Sequence, residues 1–321
     1  MRTPAGPAHR SDPHGGPGRS RARGPRGGHR VSGSVLLIVA QSFAVLYGLV
    51  VGSFLASSIV RIPEGRSSLV PSSCPRCATP LHWHDNVPVL SWLRLRGRCR
   101  SCESPISALY PLVELLSALL AWLVCRHLVQ SPADLDLAHA AAWALQFGFL
   151  AMLIVAATVD IRHRIIPDET SIYAVPVGVG GHAVLEALGY DGWLSIGWRE
   201  AALGAAMWGG CFAFFSWSAL LLLRREGLGW GDVKLAAMFG AFLGTMPGGL
   251  AAIALGSLFG VVVGLAATVI TWGRTYLPFG PPLAIGGALY VLYGDLIFAF
   301  GGEDQGLLSL LALVWSLLSS G

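Results

Sequence analysis

Long apolar runs alternate with short polar stretches along most of this chain. Each run approaches or exceeds the roughly 20 residues that carry an α-helix across a bilayer. They predict spans at about 34–58, 111–129, 138–159, 170–189, 200–223, 234–246, 249–272 and 281–300. The sixth is short, as a half-length or tilted helix would be. A further apolar stretch, 306–320, reads as a ninth span or as a segment lying along the interface. Inside the runs, glycines such as Gly240, Gly244, Gly256, Gly260 and Gly264 recur, and small residues let membrane helices approach closely. No internal repeat is visible. The pattern predicts an all-α polytopic membrane protein of about eight transmembrane helices, interrupted once by a polar insert. It divides into a disordered basic tail (1–33), a first transmembrane helix (34–60), the insert (61–110), a helical membrane core (111–300) and an apolar C-terminal tail (301–321).

Composition agrees: 54% of the 321 residues are hydrophobic and only 12% are charged, which excludes an ordinary soluble domain. The tail is Gly, Pro, Arg, Ser and His with too little apolar surface to offset the entropy of ordering. An Arg-rich tail can bind RNA or anionic lipid, but a solvated tail is the simpler reading, and no nucleic-acid partner is expected. The basic tail, the run and Ala56-Ser57-Ser58 also resemble a signal peptide. The run is longer than a signal core and more spans follow, which argues against one. With eight spans beginning outside, the loops 61–110, 160–169, 224–233 and 273–280 lie on one side and hold most of the internal Arg residues. The positive-inside rule makes that side cytoplasmic. The seven Arg before residue 31 oppose this orientation. Translation starting at Val31 or Val35 would remove the conflict.

Four of the six cysteines form two pairs in the insert, Cys74-Pro75-Arg76-Cys77 and Cys99-Arg100-Ser101-Cys102, with 21 residues between them. Doubled CxxC knuckles can supply four thiolates to a tetrahedral zinc ion, a closed structural site with no open position for chemistry. Disulfides are the competing reading, disfavoured in a cytoplasmic loop. His82 and His84 are not needed as ligands. Cys125 and Cys211 lie in apolar runs and read as packed thiols.

Ionisable residues at the edge of a bilayer are costly and mark pathways or reaction centres. Two carboxylates qualify: Asp160, in Asp160-Ile161-Arg162-His163, and Asp232, in Gly229-Trp230-Gly231-Asp232-Val233-Lys234. Each alone could simply mark a helix end. On the same side of the membrane, they could act on one water, because two close carboxylates cannot both ionise easily. The ionised one takes a proton from water while the neutral one polarises the scissile carbonyl. Gly229 and Gly231 leave room for a substrate backbone. Lys234 is the only lysine. Asp168, after Pro167, is expected to cap the next helix, Glu114 to sit at the interface without a further role, and His163 to be solvated.

These motifs resemble the prepilin peptidases, or type 4 leader peptidases, membrane aspartic proteases of the GxGD kind. The resemblance covers roughly residues 48–300. It includes Gly52-Ser53-Phe54-Leu55 with Arg61 and Pro63, the four cysteines, the stretches 85–93 and 95–99, Tyr110-Pro111-Leu112-Val113-Glu114, Ile166-Pro167-Asp168 and Leu277-Pro278-Phe279-Gly280-Pro281. It implies an endopeptidase that removes the basic leader of type IV prepilins or type II secretion pseudopilins at the cytoplasmic face of the inner membrane. Asp160 and Asp232 would be its catalytic pair, and the cysteines its zinc ligands. Many such proteins also methylate the new N-terminus using S-adenosylmethionine. Ala56 and Leu109 depart from the pattern, which usually has Asn and Arg there. Two other classes compete: a proton-coupled transporter using the two aspartates as a relay, and a membrane-anchored zinc-ribbon adaptor. The first lacks repeated halves, and the second leaves the Gly-Trp-Gly-Asp stretch without a purpose.

Overall fold

The computed structural model describes residues 28–68, 70–224, 229–271 and 278–299. The expectations for residues 1–27 and for the apolar tail 301–321 lie outside them. Among the described residues the chain forms nine α-helices and short 3₁₀ turns, with no strand beyond two isolated bridges in the insert. The helices are α1 (Gly28–Arg61), α2 (Leu90–Arg94), α3 (Leu109–Leu128), α4 (Leu137–His163), α5 (Ala174–Ala187), α6 (Trp198–Leu223), α7 (Trp230–Leu243), α8 (Gly248–Thr271) and α9 (Gly280–Ala299). Apart from the single short turn α2, they correspond one to one with the eight apolar runs. Five of them, α1, α3, α4, α6 and α8, are long and apolar enough to cross a membrane. The protein is an integral membrane protein.

Four boundaries differ from those the apolar pattern predicts. α1 begins at Gly28, so residues 28–33 are helical rather than part of a disordered tail. α5 begins at Ala174 because Pro167 and a 3₁₀ turn over Asp168–Thr170 delay the helix. α7 begins at Trp230, with Gly229 as its N-cap, so Asp232 lies in the first helical turn and not in the preceding loop. Asp160 likewise lies within the last turn of α4, before Arg164 takes the left-handed conformation that ends it.

α4 and α7 form the centre. On α7, Leu235, Ala236, Met238, Phe239 and Ala241 are at most 1% exposed. The Phe149 ring of α4 stacks on Phe242 at 4.9 Å and meets Phe239 edge-on at 5.5 Å. The remaining helices pack around this centre largely in pairs, α1 with α3, α6 with α7 and α8 with α9. Small residues set the closeness of each pair. A Cβ on Gly240 would stand 2.1 Å from the Gly204 carbonyl oxygen, so α6 and α7 touch backbone to backbone. Facing outward, Ile38, Phe43, Leu46 and Val50 on α1 and Phe214, Trp217 and Leu221 on α6 are exposed, an apolar belt that only lipid can cover favourably.

Polar side chains tie the bundle at the end away from the insert. Gln146 Nε2 donates to the Trp193 carbonyl (3.0 Å), Trp193 Nε1 to that of Val291 (2.9 Å) and Trp208 Nε1 to that of Thr245 (3.1 Å). His182 Nε2 meets the Phe242 carbonyl at 3.0 Å and fixes α5 against α7. These bonds tie α4 to α9 through Trp193, and the end of α7 to α5 and α6.

Candidate active site and metal centre

Three helix ends converge on the insert side of the bundle: the C-terminal end of α4, the N-terminal end of α7 and the N-terminal end of α9. Asp160, from α4, is 6% exposed. Its Oδ2 accepts the backbone N–H of Gly280 at 2.8 Å. Asp232 is the third residue of α7 and is partly buried. Its carboxylate lies beside the N-cap Gly229 and close enough to Asp160 for the two like charges to interact. The structure therefore brings together the two aspartates that the chain separates by 72 positions.

Around the pair, the loop after α4 closes one side. A Cβ on Gly231 would meet Ile166 at 3.1 Å, so α7 and this loop are in contact. Lys234 pairs with Asp168 across the same contact. This corrects the expected cap: Pro167 and Tyr173, not Asp168, stand at the N-caps of the turn and of α5, neither with a side-chain cap bond, and the Asp168 carboxylate meets the only lysine instead. His163 lies exposed beyond the pair.

The insert folds around its cysteines. All four Sγ atoms lie within 4.8 Å of one another, with Cys74–Cys102 at 3.8 Å and Cys77–Cys99 at 4.0 Å. A tetrahedron with Zn–S bonds of about 2.3 Å has edges of about 3.8 Å, so this set fits such an ion. The two knuckles repeat one backbone design. Cys74 N–H donates to the Thr79 carbonyl and Cys99 N–H to that of Ser104, while Ala78 and Glu103 return to Cys74 and Cys99 with positive φ. Backbone N–H groups of Cys77 and Arg76 aimed at Cys74 bring its thiol down to about 6, toward the thiolate a metal requires. His82 and His84 stack on each other and are not in the cluster.

What seats the insert on the membrane helices was not legible from pattern. Glu114 is not an idle interfacial group: it is 6% exposed, and its Oε2 accepts the N–H of Val89 at 2.7 Å. Val89 holds φ at +60°, unusual for a β-branched residue. A Cβ on Gly52 of α1 would stand 2.6 Å from the Glu114 Cα, so α1 backs directly onto this carboxylate's helix turn. Arg100 clamps Asp85 with Nε at 2.9 Å from Oδ2, and its guanidinium holds that carboxyl below the ordinary range. Arg61 gathers the carbonyls of Ser68, Val70 and Pro71 where the chain leaves α1. Ala56 (0% exposed) belongs to an apolar cluster with Val113, Ile154 and Val159, and Leu109 packs against the same cluster.

Two family profiles match this chain. The Bacterial Peptidase A24 N-terminal domain profile matches residues 46–128, and the Type IV leader peptidase family profile matches residues 147–265, which include both aspartates. The chain is 36% identical over 289 residues to a "Prepilin leader peptidase/N-methyltransferase" of Aeromonas hydrophila, covering 80% of this chain and 91% of that protein. Over 234 residues it is 38% identical to the protein of that name from Myxococcus xanthus, 71% of this chain and 63% of the relative. A "Type 4 prepilin-like proteins leader peptide-processing enzyme" of Escherichia coli is 36% identical over 278 residues, 79% of this chain and 94% of that protein. No solved structure is a significant match. With two family profiles along most of its length and relatives above 30% identity over four-fifths of it, this chain belongs to the type IV leader peptidase family.

Proposed function

We propose that this protein is a membrane aspartic endopeptidase that removes the leader peptide of prepilins or pseudopilins, with Asp160 and Asp232 as its catalytic pair. The observation that carries this reading is the meeting of two carboxylates from different helices at one level of the bundle. One of the pair, ionised, takes a proton from a water molecule, whose oxygen attacks the scissile carbonyl carbon. The other, protonated, donates to the carbonyl oxygen and so stabilises the tetrahedral intermediate. Collapse breaks the C–N bond, the proton taken from water passes to the leaving amine, and a hydroxyl of the intermediate returns a proton to the second aspartate. Gly229, beside the Asp232 carboxylate, lets an extended backbone approach the start of α7, whereas Gly231 is taken up by its contact with Ile166. The insert side is the cytoplasmic side of the inner membrane in this reading, supported by the Arg residues of loops 61–110 and 160–169.

Zinc in the insert is a structural part of the proposal. Cys74, Cys77, Cys99 and Cys102 would hold it, and with four thiolates it would fold the insert and take no part in hydrolysis. The names of the relatives also include N-methyltransferase, which makes methylation of the new N-terminus the second expected activity. Ala56 and Leu109 pack in an apolar cluster and offer no hydrogen-bonding group to a polar methyl donor such as S-adenosylmethionine. No step is therefore assigned to them.

The test is cleavage of a native prepilin by full-length Asp160→Asn and Asp232→Asn proteins at equal membrane abundance. Each is expected to lose processing. Substantial residual cleavage in either would refute the pairing. A transporter relay predicts the opposite, intact processing with altered proton flux.

A further inference from the structure

We infer that Gly280 is the positioning residue for Asp160, setting the direction of its carboxylate from the start of α9. This deepens the peptidase reading and rests on it. The N–H of Gly280 is buried and donates to Asp160 Oδ2 at 2.8 Å. An ordinary helix start presents several free N–H groups, which fan around an anion and enclose it. Here Pro281 and Pro282 follow directly and carry no N–H. The next donor, Leu283 N–H, is directed back to the Phe279 carbonyl at 3.3 Å. After Gly280 the start of α9 therefore offers no further free main-chain donor before its ladder begins, and the Gly280 N–H meets this carboxylate. A single donor fixes one oxygen and leaves Oδ1 for the reaction.

The same contact explains why the residue is glycine. A Cβ at position 280 would stand 2.7 Å from Asp160 Oδ2 and 3.2 Å from its Cγ and Cβ. Any side chain there pushes the carboxylate off its line with Asp232. The backbone conformation is not the reason, since Gly280 is not among the residues with positive φ.

The experiment uses the full-length protein in membranes with a synthetic leader-containing peptide. A misplacement on the order of 1 Å costs about 100-fold in rate, so Gly280→Ala should lower kcat by about that factor. KM should change by less than about twofold, because substrate binding is not the step disturbed. A Gly280→Ala protein that cleaves with wild-type kcat while Asp160→Asn is inactive overturns this inference and leaves the peptidase reading standing. Cleavage by Asp160→Asn fails the peptidase reading itself. If Gly280→Ala is thermally unstable, the double variant Asp160→Ala/Gly280→Ala decides the matter. Equal melting temperatures for the double variant and for Asp160→Ala alone place the strain on the carboxylate and support the inference. Additive losses overturn it.

Discussion

At the scale of single residues, the ion pair of Asp168 and Lys234 has side chains 48% and 32% exposed. A pair so open to solvent contributes about 0.2–1 kcal/mol and is screened by salt. Asp168→Asn should therefore lower the melting temperature slightly at low ionic strength, and the difference should vanish near about 1 M salt. Thermal unfolding at two salt concentrations checks this; a salt-independent loss would return Asp168 to the capping role its place after Pro167 first suggests. Glu114 predicts a larger effect. Glu114→Leu leaves the strained Val89 N–H without its acceptor, at a cost of about 1–3 kcal/mol. Cleavage by added protease within residues 61–110 should rise, while Glu114→Gln, which keeps an acceptor, should resist. Asp85 adds a pH dependence to the same segment. Its folded-state pKa is lowered by Arg100, so the stabilisation is present above its ordinary value of about 3.9 and is lost as pH falls below that. Pepsin digestion of the insert should rise through that acid range in the wild type, and Asp85→Asn should be pepsin-sensitive already at its upper end. These residues also show the limit of reading chemistry from order in the chain. Asp160 and Asp232 stand out because a charge near lipid is costly wherever it falls. Gly280 shows only as part of the stretch 277–281 that resembles the family, with no chemistry attached, because its partner lies 120 positions away and the group that matters is a backbone N–H.

Among the elements, α6 and α7 make the sharpest prediction. In an isolated helix Gly240→Ala would stabilise by about 1 kcal/mol. Here the new methyl would stand 2.1 Å from the Gly204 carbonyl oxygen, so the substitution should instead destabilise and displace the start of α7. Lower yield of folded protein and reduced cleavage are the expected results, and a more stable Gly240→Ala protein would show that α6 and α7 do not touch. For the insert, metal analysis should find about one zinc per chain, and a Cys74→Ser/Cys77→Ser variant should lose it and become protease-sensitive. The apolar runs marked where each of these helices lies, because lipid exposure demands length and hydrophobicity together. They did not mark where α7 begins. Gly229 as N-cap and Asp232 three residues on start the helix earlier than hydropathy does, and this moves the carboxylate from a loop onto a rigid turn.

For the whole molecule, the pairing of helices and the site are one design. α4 and α7 form the buried axis, α9 brings its first turn to the foot of α4, and the insert is seated beside them through Glu114 and Arg61. The axis helix itself is short. α7 has 14 residues, a rise of about 21 Å, against a hydrocarbon layer about 30 Å thick. One of its ends carries Asp232. The other opens on a cavity of about 520 Å³ lined by Asp191, Trp193, Glu200, Leu243, Pro247 and Tyr290. The carboxylate and this cavity are thus separated by less than the thickness of the bilayer. The buried rings of Phe149, Phe239 and Phe242, in one cluster with Met238, fill the bundle between these two ends, so aromatic packing closes a stretch that the helix's length alone would leave thin.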